Sequence, residues 1–262
     1  MRKHKKTFLL LFVILITTVI TVLPALHGRT QNGLASSKQE EPTPIQEGVM
    51  TDKQKKHSKL FKGFSNVTRG KKLRELAAER GDVEVIYELE DGQAPRSSDL
   101  PKYLNKYLQK VSCSADAIVI GSVLTKSSQI IEEGTFSFTD YELTVEEVLK
   151  DNSAAQIQPH SAITITRSGG AVTLNGHVIR AKDYRNEPLE IGGRYLVFLR
   201  FIPDTGAYQS LGNSLFEDSF QLSADQITQV SEKPLPFGSR RTALMNTFLT
   251  ELRATLNNPC AK

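Results

Sequence analysis

The chain has 262 residues, with 33 Lys and Arg against 29 Asp and Glu, no Trp, and two cysteines at Cys113 and Cys260. This composition excludes a collagen, a polytopic membrane protein, a cysteine-rich miniprotein and a wholly disordered chain, and two thiols are too few for a four-thiolate zinc site. The net charge of +4 combines unlike parts: residues 1–80 hold 16 basic and 6 acidic side chains, a net of +10, and residues 81–262 hold 17 and 23, a net of −6.

Arg2, Lys3, Lys5 and Lys6 precede an almost unbroken apolar run, Phe8 to Leu26. A basic flank followed by such a run is a secretory targeting signal. The run exceeds an ordinary signal-peptide core and approaches the roughly 20 residues that span a bilayer. Residues 1–28 therefore read either as a cleaved signal peptide or as an uncleaved signal anchor through Phe8–Leu26. The basic flank keeps the N-terminus in the cytoplasm either way and places everything after residue 28 outside it.

Outside the cytoplasm, two thiols usually pair. Cys113 stands just before an apolar run and Cys260 just after the last expected helix. A Cys113–Cys260 bridge would tie that helix to the start of the main domain. Two free thiols and an intermolecular bond are the alternatives.

Residues 29–57 are rich in Gln, Ser, Glu and Lys, contain Pro42 and Pro44, and read as a flexible tether. Residues 58–110 read as a basic helical and strand extension. Leu73, Leu76 and Ala77 lie at helical spacing before Gly81, and the surrounding basic residues read as a solvated helix beside a linker. Asn66-Val67-Thr68 fits the N-glycosylation pattern. Val83, Val85, Tyr87 and Leu89 alternate with more polar residues as a half-buried strand does. Tyr103 to Val111 has helical periodicity and leads into Cys113.

Strands follow over residues 111–230. Ala117 to Leu124 is apolar on both parities, so both faces are expected to be buried, and Gly121 within it signals a bend or a close backbone approach. Phe136 and Phe138 share one parity, and Tyr141, Leu143 and Val145 share the other. A β-bulge near Thr139-Asp140 is the expected reason. Asn175-Gly176 between alternating runs predicts a two-residue hairpin with Leu174 opposite His177 and Val172 opposite Ile179. Tyr195 to Phe201 is the strongest strand, Pro203 to Gly206 a turn, and Ala207–Leu211 and Ser219–Leu222 are shorter strands. In residues 231–262 a helix from about Thr242 to Asn257 carries an apolar stripe, from Leu244 and Met245 to Leu252 and Leu256, expected to pack on the strands. Many short strands with frequent turns mean a mainly β sandwich or barrel.

Three segments carry a family resemblance. Cys113-Ser-Ala115-Asp116-Ala-Ile-Val-Ile-Gly121-Ser-Val123 resembles the opening strand of netrin-type (TIMP-like) modules. Tyr141-Glu-Leu143-Thr-Val145-Glu-Glu-Val148-Leu149-Lys150 is similar to their second strand, and Leu189-Glu-Ile-Gly192-Gly-Arg-Tyr195-Leu196-Val-Phe198 to their turn-and-strand segment. The resemblance covers about residues 111–260 and implies an OB-like, five-stranded β-barrel with flanking helices. Metalloproteinase inhibitors of this family chelate zinc with a cysteine at the mature N-terminus. Cys113 lies far from any N-terminus that signal removal could create, and the family's further cysteines are absent, so that activity does not carry over.

Catalytic, cofactor and metal constellations are missing from the sequence: there is no HExxH, HxH, CxxC, GxSxG or phosphate loop. Ser168 before Gly169-Gly170 invites a nucleophile reading with His177, but the glycines also suit a strand end, and His177 a hairpin flank. A net charge of −6 over the folded part argues against nucleic acid. The expected function is an exported, non-enzymatic β-barrel module, membrane-tethered if the signal is uncleaved, that binds a protein or glycan at the cell surface. An extracytoplasmic hydrolase using Ser168 or His177, and an inhibitor of an extracellular protease through another loop, are the alternatives.

Overall fold

The computed structural model describes residues 45–46, 48–63, 72–87, 104–183, 187–211, 217–231, 242–258 and 260. The elements in chain order are β1 (Ile45–Gln46), α1 (Asp52–Leu60), α2 (Leu73–Arg80), β2 (Val83–Tyr87), α3 (Leu104–Ser114), β3 (Ala117–Ile130), β4 (Ser137–Asp151), β5 (Ala162–Ser168), β6 (Gly170–Leu174), β7 (His177–Asp183), β8 (Arg194–Ile202), β9 (Ala207–Ser210), β10 (Ser219–Ser223), β11 (Gln226–Gln229), β12 (Thr242–Leu244) and α4 (Met245–Leu256). The protein is mainly β, with helices flanking the strands. Phe8–Leu26 and the Asn66 glycosylation pattern lie outside the described residues. Among the described residues no helix is long and apolar enough to cross a membrane.

Eight strands join in the order β12-β11-β10-β8-β3-β4-β5-β9, and β9 also pairs with β8. The pairings β3–β4, β4–β5, β5–β9, β9–β8 and β8–β3 therefore return to their starting strand. Only β5–β9 is parallel. The apolar runs on both parities of β3 and β8 explain how these strands serve two cores. Ile118, Ile120, Leu196 and Phe198 face a cluster completed by Tyr107, Leu108 and Val111 of α3, by Phe220, and by Phe248, Leu249 and Leu252 of α4. Ala117, Val119, Val123, Tyr195, Val197 and Leu199 face the inside of the ring, where they meet Leu143, Ile165 and Tyr208. Each fully buried Leu or Phe contributes roughly 1.5–3 kcal/mol.

Gly121 is needed for a close approach. A Cβ there would lie 2.4 Å from the Thr144 carbonyl oxygen and 2.9 Å from Leu143. The Asn175-Gly176 turn has φ of +52° and +82°, and the hairpin pairs Leu174 with His177 and Val172 with Ile179, as its sequence implies.

A second sheet, in the order β1-β6-β7-β2, contains this hairpin. It covers a third core of Phe61, Leu73, Leu76, Val85, Ile130, Phe136, Phe138, Val172 and Ile179. α2 ends at Gly81, whose φ is +81°, in keeping with the helix stop read from the sequence.

Three expectations are corrected. The β3–β4 ladder runs without a shift from Thr125↔Glu142 to Ile130↔Ser137, so no bulge lies at Thr139-Asp140. The parity change has another cause: Phe136 and Phe138 face the third core, while Tyr141, Leu143 and Val145 face the ring interior. Ser137 to Tyr141 is buried on both faces and needs no extra residue. The register shifts occur elsewhere, at Ile118/Val119, Ile120/Gly121 and Val123/Thr125.

Second, residues 45–57, read as part of the tether, are in part built into the fold. They include β1, which pairs with β6, and most of α1, because the polar stretch finds specific partners on the folded body. Third, the last helix starts at Met245, since Thr242–Leu244 pairs with β11 as a strand.

The two cysteines form the Cys113–Cys260 disulfide, with Cα atoms 5.7 Å apart. It joins the last turn of α3 to the segment after α4.

Candidate functional site

The residues singled out for hydrolytic chemistry do not meet. Ser168 ends β5 and is buried, and its hydroxyl donates to Asp183 Oδ2 at 2.6 Å. His177 stands at the turn of the β6–β7 hairpin, with Nδ1 3.8 Å from Asp82 Oδ1. Gly170 pairs with Ala181 at the opposite end of that hairpin, so a ladder of about 15 Å separates the serine from the histidine. Among the described residues no group of three or more His, Cys, Asp or Glu could hold a metal.

A histidine that the sequence placed in the tether is fully buried instead. His57 of α1 holds Asp140 Oδ1 at 2.9 Å and Oδ2 at 3.0 Å through Nδ1, and Thr205 Oγ1 at 3.0 Å through Nε2. A carboxylate only accepts, so Nδ1 carries the proton toward Asp140. Carboxylate, imidazole and hydroxyl stand in the order of an acyl-transfer relay. The backbone N–H groups of Thr205 and Gly206, however, both donate to the Ile202 carbonyl, so neither is free to stabilise an oxyanion.

The cluster is better explained as a clamp on α1. Ser58 Oγ accepts from Glu132 N at 2.8 Å, Gln54 Nε2 donates to Ser127 Oγ at 3.2 Å, and the Phe61 ring stacks on Phe138 at 5.7 Å. The signal that marks this helix in the sequence is the capping box Thr51-x-x-Gln54, in which each side chain bonds the other's backbone N–H.

The arrangement most suited to meeting a partner lies where the segment before β8 crosses the end of the ring. Val123 N–H donates to the Gly193 carbonyl at 3.0 Å, and Gly192 N–H to the Val123 carbonyl at 2.8 Å. This backbone link brings Leu124 and Ile191, which are 55% and 58% exposed, to the same end of the molecule. The register shift between Val123 and Thr125 leaves Leu124 without a ladder partner, and such bulges commonly re-aim a side chain.

Two tyrosines hold the segment from below. Tyr195 Oη accepts from Glu190 N at 2.8 Å, and Tyr141 Oη accepts from Leu189 N at 3.3 Å. Burial raises both phenol pKa values, and these backbone hydrogen bonds oppose it. Gly193 lets the chain pass over the Tyr195 ring, since a Cβ there would lie 2.6 Å from it.

Polar side chains lie on residues next to this segment along β3, β4 and β8. Glu146 accepts from Ser122 Oγ at 2.7 Å and from Arg194 Nε at 2.6 Å. Burial pushes its carboxyl pKa up, but these two partners outweigh it and hold the pKa below the usual value. Thr125 Oγ1 donates to Glu142 at 3.2 Å. Burial lowers the Lys126 pKa, against the pull of Glu190.

No protein-family model matches the chain, and no curated protein matches it.

Proposed function

We propose that the protein is an exported β-barrel module of the netrin type that binds a protein partner at the cell surface through the end bearing Leu124 and Ile191. The observation that carries the binding reading is this exposed aliphatic pair, set on hydrogen-bonded backbone with polar side chains on residues next to it, the plan of a protein-binding hot spot. Branched aliphatic side chains offer a sugar neither a stacking ring nor a hydrogen bond, which favours a protein over a glycan. The pairings that run from β3 through β4, β5, β9 and β8 back to β3 support an OB-like barrel. The Cys113–Cys260 disulfide supports an oxidising compartment, and the basic flank and apolar run at Phe8–Leu26 support export. The N-terminal residue and membrane fraction of the native protein decide between an anchored and a released form.

The binding test is capture of envelope proteins by the full chain and by the double variant L124D/I191D. The wild type is expected to retain a partner that the variant loses, with the disulfide and circular dichroism unchanged. A partner held equally by both rejects this surface, and no partner with the wild type rejects the reading.

A further inference from the structure

We propose that the interior of the β3-β4-β5-β9-β8 ring receives one small carboxylate, gripped by the Nε/NH2 edge of Arg167 and by the Tyr195 hydroxyl. Arg167 shares its strand parity with Ile163 and Ile165, which belong to the interior core, and it is 1% exposed. It is the one Arg or Lys among the buried described residues. Its NH1 donates to Ser219 Oγ at 2.5 Å, and Ser219 Oγ donates in turn to Asp218 Oδ1 at 2.9 Å. Its Nε and NH2 are buried and have no hydrogen-bond partner among the described residues. The guanidinium reaches Asp218 through Ser219 at its NH1 tip, and its side edge presents two parallel N–H groups matched to the two oxygens of a carboxylate.

Tyr195 supplies a further donor. It is 2% exposed and its oxygen accepts the Glu190 N–H, while nothing among the described residues accepts its own O–H proton. The charge of Arg167 reaches this phenol and that of Tyr141, countering part of the rise that burial imposes. The Arg167 fork and the Tyr195 hydroxyl are thus buried donors with no acceptor among the described residues, and an unmade charge-assisted hydrogen bond is costly there. A planar monoanion suits the site better than phosphate, because no second buried cation is present among the described residues to meet a further charge. The atoms are closed to solvent, so the ligand is a free small acid rather than a side chain of a docked partner. The Arg167 site is separate from the surface at Leu124 and Ile191 and does not depend on it.

The test uses the full chain with its disulfide intact, dialysed into chloride and labelled with 15N. The Arg167 Nε–H resonance, assigned by its loss in R167K, is followed during titration with sodium acetate, with acetamide, and with sodium chloride at matched ionic strength. Acetate is expected to shift the resonance to saturation, and acetamide and chloride are not. R167K, which keeps the charge but not the fork, should bind acetate about tenfold more weakly by calorimetry. An acid that survives dialysis and is released on denaturation at one equivalent per chain supports the proposal equally. A resonance that acetate leaves unmoved with no acid released, or that acetamide moves as far, overturns it and leaves water as the partner of the fork. If R167K does not fold, Y195F replaces it as the weakened variant, and acetate affinity equal to wild type in Y195F removes Tyr195 from the site.

Discussion

At Gly121 and Glu146 a single atom or charge decides the outcome. Gly121→Ala drives a methyl group into the Thr144 carbonyl and Leu143 across the β3–β4 ladder. We expect a loss of about 2–3 kcal/mol in chemical unfolding, from overpacking that backbone can relieve only by moving. Glu146 works through charge. Its folded pKa lies below the ordinary carboxyl value, so its stabilisation is present at neutral pH and disappears as the pH falls through the folded value. The side chain is 36% exposed and solvent screens it, so E146Q should cost only about 0.5 kcal/mol at pH 7. The difference from wild type should fade below about pH 4 in a pH series of unfolding curves. Residues whose backbone geometry is special were legible in the sequence: an interior glycine in a strand and Asn175-Gly176 between alternating runs each permit few conformations. His57 was not legible, because a histidine among lysines looks solvated until Asp140 and Thr205 are brought to it from far along the chain.

The elements divide the same way. β3, β8 and the β6–β7 hairpin follow from apolar patterning, because burial alone selects them. α1 arises from a polar stretch that owes its order to contacts with Ser127, Glu132, Phe138, Asp140 and Thr205, β1 before it pairs with β6, and composition is silent on such partners. The capping box at Thr51 and Gln54 was the one local trace of α1. The parity change in β4 was visible, but its cause was not, since alternation cannot distinguish a bulge from a strand shared by two cores. If the His57 clamp fixes α1, His57→Ala leaves buried Asp140 without its main partner and should destabilise the protein by about 3 kcal/mol. Amides of α1 should then exchange with solvent faster than those of β3 and β4 by a larger factor than in wild type. Uniform loss of protection across all three elements would show that the clamp serves the whole fold rather than this helix.

For the whole molecule, the sequence pattern pointed to a mainly β protein with a terminal helix on its strands, and the structure agrees at that level. The division into three cores and the second sheet were not legible, because they depend on which strands share residues of opposite parity. The disulfide adds a property of another kind. It closes a covalent loop across 147 residues, from the end of α3 to the chain's last residues, and every strand from β3 to β12 lies inside it. Hydroxylamine cleaves Asn-Gly bonds, and the sequence has them at Asn32-Gly33 and Asn175-Gly176. Cleavage of the unfolded full chain should release residues 1–32 at once. Fragments 33–175 and 176–262 should migrate as one species until a reductant is added, and their separation without reductant would show that the thiols are unpaired. A nick anywhere between β3 and β12 would then be silent in an oxidising environment, and the fragments would part only on entering a reducing one.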